Sequence, residues 1–251
     1  IQGRYTQAEP FYRQALAMRK RLFGEENPRV SESLNNLASF YESQGRYAEA
    51  EPLYRQALAM TKRIFGEQHP MVATNYNNLA VLYESQGRYT EAELLYQEAF
   101  KLIKQIFGER DPHVATHLNN LASFYEHQGR YAEAEPLYQE ALTATKRLLG
   151  KEHPNVAVNL NNLAGLYEKQ GRYIEAESLY RESLEIDRNL LGEQHPYVAT
   201  TLNNLAGLYA SQRNYAKAEL LYRESLEIDR NLLGEQHPDV ATTLNNLAVL
   251  Y

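Results

Sequence analysis

The stretch of residues 28–66 reads PRVSESLNNLASFYESQGRYAEAEPLYRQALAMTKRIFG. Its first half places Leu34, Leu37, Ala38 and Tyr41 at the i, i+3, i+4, i+7 spacing of one helical face. Its second half carries another apolar stripe at helical spacing. The stretch therefore predicts two amphipathic helices joined by a short turn.

Proline and glycine mark where these helices begin and end. Pro28 suits the first turn of a helix, where no N–H donor is needed, and Asn27 before it is a capping residue. Gly45 is expected to end the first helix in the left-handed conformation, and Gly66 ends the second. In four other repeats a histidine precedes the proline, and we interpret it as a helix cap rather than a metal ligand, because no second ligand follows at i+3 or i+4. These histidines are His69, His153, His195 and His237.

The same pattern recurs every 42 residues along the chain. Since no helix pair can bury its apolar stripe alone, neighbouring pairs must stack, as they do in a solenoid. We predict an all-α array over residues 1–251, with a second helix at 1–24, full units at about 28–66, 70–108, 112–150, 154–192 and 196–234, and a further first helix at 238–251.

The predicted helix bounds follow from the repeat, with an uncertainty of about 2–4 residues at each end. The first helices are predicted at 28–44, 70–86, 112–128, 154–170, 196–212 and 238–251. The second helices are predicted at 5–23, 47–65, 89–107, 131–149, 173–191 and 215–233. Small residues let the two helices of a pair approach closely, so we expect Ala38, Ala80, Ala122, Ala164, Ala206, Ala50, Ala92, Ala134 and Ala176 to be buried.

Three motifs carry a resemblance to a known family: L-N-N-L-A-x-x-Y, Q-G-R-Y-x-E-A-E-x-L-Y and L-G-E-x-H-P. With the 42-residue period, they resemble the tetratricopeptide repeats of kinesin light chains. The resemblance covers the whole chain and implies a right-handed superhelix of antiparallel helix pairs. It also implies a protein-interaction scaffold that holds a peptide or partner protein in its concave groove. Similar arrays occur in many bacterial proteins, and the near-identity of the last two units is typical of those arrays.

Composition narrows the possible functions. The chain has 26 Lys and Arg against 32 Asp and Glu, which argues against a nucleic-acid binder with a basic stripe. No apolar run approaches the roughly 18 residues of a membrane span. The absence of cysteine is compatible with a reducing compartment, and we expect a cytoplasmic location. No catalytic or phosphate-binding motif stands out, so we expect no enzyme activity, cofactor or metal. The recurring tyrosines are interpreted as packing and the recurring glutamates as a solvated face.

The repeated asparagine pairs have two possible roles. They lie beside the apolar stripe, and asparagine is a poor helix former, so local stability does not explain them. One interpretation is a ladder that ties neighbouring units. The other is a polar rail in the groove, because an amide can both donate to and accept from the backbone of an extended peptide. These pairs are Asn35 and Asn36, Asn77 and Asn78, Asn119 and Asn120, Asn161 and Asn162, and Asn203 and Asn204.

Neighbouring groove positions would set specificity. Ser39 and Ser123 lie one turn after their asparagine pairs, and Glu84 and Glu126 lie further along the same helices. Lys169 is the clearest basic residue on this face. Kinesin light chains use basic groove residues to attract acidic, tryptophan-containing peptides, so the scarcity of basic residues argues against that ligand class here.

An alternative function is structural, with the array stacking head to tail on itself or on another array. The apolar stripe of the last helix includes Leu247 and Tyr251. It matches the surface against which the opening helix, with Tyr5 and Phe11, would pack, so the two ends are complementary. We therefore expect self-association of this chain at high concentration.

Overall fold

The computed structural model describes residues 2–108 and 111–251, without the side chains of residues 2–6, 112 and 113. Over these residues it contains twelve α-helices and no strand. They are α1 (Gln2–Phe23), α2 (Pro28–Glu42), α3 (Tyr47–Phe65), α4 (Pro70–Ser85), α5 (Tyr89–Phe107), α6 (Pro112–His127), α7 (Tyr131–Leu149), α8 (Pro154–Lys169), α9 (Tyr173–Leu191), α10 (Pro196–Ser211), α11 (Tyr215–Leu233) and α12 (Pro238–Val249). The predicted all-α repeat fold is confirmed.

The first helices end one or two residues earlier than predicted. The reason is a tight turn after Glu42, in which Gly45 N donates to Glu42 O at 2.8 Å and Arg46 N donates back to Tyr41 O at 2.9 Å. From α3 onward, the second helices have the predicted bounds.

The chain divides into two compact units, residues 1–124 and 125–251, with the boundary inside α6. A single array over the whole chain stays a prediction. Within each unit, a first helix packs against its own second helix and against the second helix of the preceding repeat, as α4 does with α5 and α3 and as α10 does with α11 and α9. First helices of neighbouring repeats also touch directly, α2 with α4 and α8 with α10.

The core consists of these stacked helices. In one cluster, Val30 and Leu34 of α2 pack with Met60 of α3 and with Leu16 of α1, which belongs to the preceding repeat. All nine alanines expected at close helix approaches are 0 % exposed. The predicted burial of these alanines is confirmed.

Polar caps start the first helices. Asn27 Oδ1 accepts from Arg29 N at 3.0 Å. His69, His153, His195 and His237 each accept, through Nδ1, from the backbone N–H two residues further on, at 3.1–3.3 Å. The interpretation of these histidines as helix caps is confirmed.

The turn after each first helix requires a left-handed residue. Gly171 takes it with φ +76°, and the equivalent residue one repeat later is Arg213, with φ 61°. Among the described residues, Arg213 is the one non-glycine with positive φ. Because its Cβ crowds the backbone carbonyl, a non-glycine residue is strained in this conformation by roughly 1–3 kcal/mol.

Replacing Arg213 with Gly should therefore stabilise the protein by about 1 kcal/mol, because relief of strain exceeds the added freedom of glycine in the unfolded chain. Urea denaturation followed by circular dichroism at 222 nm measures this. The reciprocal change Gly171→Arg should lower the midpoint. An Arg213→Gly midpoint equal to or below that of the wild type would contradict the strain argument.

Candidate functional site

In three pairs, the first asparagine bonds to a side chain of the next repeat. Asn35 Nδ2 donates to Asn75 Oδ1 at 2.8 Å, forty residues further along. Asn161 Nδ2 donates to Thr201 Oγ1 at 2.8 Å, again forty residues on, and to Ser183 Oγ at 2.6 Å. Asn77 Nδ2 lies 2.5 Å from Nδ1 of the buried His117, at the same spacing. The ladder interpretation therefore describes these first asparagines.

The second asparagine of each pair behaves differently. Asn36 is exposed, and Asn78, Asn120 and Asn162 are half-buried. None of these four side chains has a hydrogen bond to another described residue. Their amides therefore remain available at the surface.

The last two pairs, Asn203 with Asn204 and Asn245 with Asn246, show an alternative arrangement of the second asparagine. Asn204 Nδ2 donates to Asn161 Oδ1 at 3.4 Å, and Asn246 Nδ2 donates to Asn203 Oδ1 at 3.1 Å. In residues 1–124 the corresponding acceptors, Asn35 Oδ1 and Asn77 Oδ1, are buried without a partner. Asn204 and Asn246 thus bond to the first asparagine of the preceding pair, whereas Asn78 and Asn120 make no such bond.

The second asparagine lies in a row of exposed and half-buried residues on each first helix. We call these rows, taken separately in each unit, the asparagine face. In the first unit it comprises Glu32, Asn36, Ser39 and Ser43 on α2, Thr74, Asn78, Val81 and Ser85 on α4, and Thr116, Asn120 and Ser123 on α6. In the second it comprises Val158, Asn162, Gly165 and Lys169 on α8, Thr200, Asn204, Gly207 and Ser211 on α10, and Thr242, Asn246 and Val249 on α12. Direct contact between α2 and α4, and between α8 and α10, brings neighbouring rows together.

Glutamates at the end of the first helices lie beneath this face. Tyr96 Oη donates to Glu84 Oε2 at 2.9 Å, and Tyr138 Oη donates to Glu126 Oε2 at 2.7 Å. Lys169 Nζ also pairs with Glu126 at 2.8 Å, so this cation of the face is already neutralised. The predicted groove residues Glu84 and Glu126 are therefore partly engaged inside the protein.

Burial affects the acidity of this layer. It raises the pKa of Glu42 and Glu168, although each accepts a hydrogen bond from a tyrosine hydroxyl of the second helix. Burial likewise raises the pKa of Tyr54 and Tyr180 well above the ordinary range. The tyrosines are therefore neutral hydrogen-bond donors.

A second set of glutamates joins neighbouring repeats. Tyr41 Oη and Arg46 Nη1 both donate to the carboxylate of Glu9, at 2.9 and 2.7 Å, and the Arg46 guanidinium stacks 4.2 Å from the Tyr41 ring. Arg46 foremost, then Arg13 and Tyr41, lower the pKa of Glu9 to about 2. Arg88 and Arg172 repeat the arrangement with Glu51 and Glu135.

The interpretation of the recurring glutamates as a solvated face is therefore wrong for these positions. The sequence did contain a signal, because the same position holds glutamate in all six copies, at 9, 51, 93, 135, 177 and 219. Packing describes the tyrosines at the positions of Tyr41 and Tyr54 in the internal repeats, whereas Tyr12 and Tyr251 of the same two series are exposed. Tyr89 and Tyr215 of the third series are about half exposed.

Asp187 is a buried carboxylate that the sequence reading missed. At the equivalent position Thr61 and Thr145 donate to a backbone carbonyl one turn earlier, at 2.9 and 2.8 Å. Asp187 is 2 % exposed, accepts only a 3.5 Å bond from Thr201 Oγ1, and leaves Oδ1 without a partner. Burial raises its pKa to about 6, against smaller opposing effects of His195 and Thr201.

Asp187→Thr should stabilise the protein at neutral pH and lose that advantage in acid. The folded-state pKa of Asp187 lies above its ordinary value of 3.8. The favourable contribution of the protonated Asp187 to the free energy of unfolding is therefore fully present below about pH 4 and is lost as pH rises through about 6. The difference in unfolding free energy between variant and wild type should be on the order of 1 kcal/mol at pH 7 and shrink by pH 4. Urea titrations across this range measure it, and a difference independent of pH would contradict the assignment.

No group of three or more metal-ligating residues occurs in the part of the chain that the structure describes. None of its described helices is long and apolar enough to cross a membrane.

Repeated helix pairs with an ordered polar face define a helical-repeat scaffold. The sequence family described as tetratricopeptide repeat matches residues 1–62, 29–105, 113–189, 156–231 and 197–251. The chain belongs to the tetratricopeptide repeat family. Members of this family generally mediate protein–protein interactions and are typically non-catalytic scaffolds.

Solved structures agree with the expected resemblance. BtubC (BKLC) from P. vanneervenii is 29 % identical, with a TM-score of 0.75 over 93 % of this chain and 94 % of that one. A putative kinesin light chain from Podosopora anserina with nearly identical TPR-like repeats is 24 % identical, with a TM-score of 0.66 over 83 % and 99 % of the two chains. The resemblance to kinesin light chain repeats is confirmed. No curated protein sequence matches the chain.

Proposed function

We propose that the asparagine face binds an extended peptide or an extended segment of a partner protein. The observation that carries this proposal is the set of second asparagines whose amides have no internal partner: Asn36, Asn78, Asn120 and Asn162. Each side-chain amide offers two donors and an acceptor, the groups that a peptide backbone complements. Such contacts hold an extended chain without reading its sequence.

The ladder supports this role by fixing where the free amides stand. Asn35 and Asn77 each bond across to the next first helix, so the adjacent Asn36 and Asn78 lie on a braced backbone. A preorganised donor loses less entropy on binding than a mobile one. The first asparagines thus act as positioning residues, and the second asparagines contact the ligand.

Small side chains along the face leave room for ligand side chains. Ser39, Ser123, Gly165 and Gly207 stand one turn after the pairs. A Cβ added at Gly165 would lie 3.5 Å from the Tyr180 hydroxyl, so this position lies directly over the tyrosine layer. With Lys169 paired to Glu126 and glutamates beneath the face, neutral or basic segments are favoured over acidic ones.

We propose that the ligand is a protein or peptide in the cytoplasm and not a nucleic acid or a membrane. The excess of 32 acidic over 26 basic residues disfavours a phosphate backbone, and the cysteine-free sequence fits a reducing compartment. Stacking on itself or on another repeat array is the competing function.

Changing Asn36, Asn78 and Asn120 together to Ala should weaken peptide binding at least about tenfold, because each lost amide contact is worth roughly 0.5–1.5 kcal/mol. Binding peptides are first selected from a random 12-residue display library against the wild-type protein. Their affinities for wild type and variant are then measured by fluorescence polarisation. Since these amides make no internal bonds, the melting temperature should not fall.

The matched control changes exposed amides on second helices, Gln56, Gln105 and Asn189, to Ala. It should bind like the wild type. Equal affinities for the two triple variants would reject the asparagine face as the binding site. Unchanged peptide binding with an altered sedimentation profile would favour the assembly function.

A further inference from the structure

A cleft of about 190 Å³ lies among α10, α11 and α12. Its lining includes Thr200 and Thr242, which are exposed members of the asparagine face. Its lining also includes the buried side chains of Thr243 and Asp229, which are 2 % and 6 % exposed. The cleft therefore leads from the proposed binding face to a buried carboxylate.

The carboxylate of Asp229 has no hydrogen-bond donor among the described residues. Burial raises its pKa, the nearby Asp239 carboxylate raises it further, and His237 opposes them. Asp239 also lines the cleft, so two acidic groups share it. An ionised carboxylate buried without a partner is costly, and a cation supplied from outside would remove that cost.

The fold does not need an acid at this position. Thr61 and Thr145 occupy it in earlier repeats and satisfy their own hydroxyls. One repeat before Asp229, Asp187 receives a bond from Thr201, and Tyr197 takes the place of Asp239. The pair of carboxylates in a cleft is thus particular to the repeat that contains Asp229.

We propose that this cleft binds the ammonium group of a lysine side chain, carried by the segment that lies on the asparagine face. The inference rests on the proposed function and specifies one side chain of its ligand. An ammonium group has three donors on a flexible four-carbon stem. The carboxylates of Asp229 and Asp239 and the hydroxyls of Thr242 and Thr243 are the acceptors that surround it.

The experiment titrates n-butylammonium chloride, an analogue of the lysine side chain, into the ¹⁵N-labelled protein at pH 7 and low ionic strength. Amide resonances of Thr242 and Thr243 should shift saturably, whereas n-butanol should leave them unshifted. Asp229→Asn should weaken binding at least tenfold. Asp229→Thr should do the same, and it preserves folding because threonine is native at positions 61 and 145.

The control is Asp187→Asn, which changes an equally buried carboxylate outside the lining of this cleft and should leave the titration unchanged. Equal shifts in wild type and both Asp229 variants would overturn the proposal, as would saturation by n-butanol. If CaCl₂ shifts the same resonances at lower concentrations than butylammonium does, the cleft is a metal site and not a lysine pocket. Ethylguanidinium binding more tightly than butylammonium would replace lysine with arginine.

Failure here is distinguishable from failure of the proposed function. The titration uses no peptide, and the asparagine variants leave Asp229 unchanged. If peptides bind the Asn36, Asn78 and Asn120 variant more weakly but butylammonium does not bind the wild type, the asparagine face stands as the peptide site. The lysine pocket alone is then rejected.

Discussion

The hydrogen bond from the first asparagine of a pair to the next repeat is the interaction on which the candidate site depends. In a helical repeat, each first helix packs between two second helices, and apolar burial is not directional, so polar contacts help to fix the register. The bond from Asn161 to Thr201 holds two neighbouring first helices in one register. The contact of Tyr41 and Arg46 with Glu9 does the same near the helix ends. A buried amide that lost its partner would cost roughly 1–3 kcal/mol, so slippage is penalised.

This constraint gives the two members of a pair different roles. Successive helical residues point about 100° apart, so when Asn161 turns towards the next repeat, Asn162 turns towards the surface. The free amides of the face are therefore a geometric consequence of the ladder. Asn204 and Asn246, which bond back to the preceding pair, show that the second asparagine can also take part in the ladder.

Sequence reasoning predicted the repeat, the helix bounds, the alanine core and the histidine caps, because each follows from local periodicity and chain chemistry. It left the asparagines undecided, since a bond such as Asn35 to Asn75 depends on how two repeats stack and periodicity does not report that geometry. The same limit led to the misreading of Glu9, whose partners Tyr41 and Arg46 come from the next repeat. Asp187 and Asp229 were missed because a single acid in a polar-looking helix carries no sign of its burial.

Comparing Asn161→Ala with Asn162→Ala separates the roles of the two asparagines, because the two substitutions remove the same group from adjacent positions of one helix. Alanine improves helix propensity equally in both, so that contribution cancels. Urea denaturation should show that Asn161→Ala lowers the unfolding free energy by roughly 1–3 kcal/mol relative to Asn162→Ala. Equal unfolding free energies for the two variants would contradict the division of roles between the first and second asparagine.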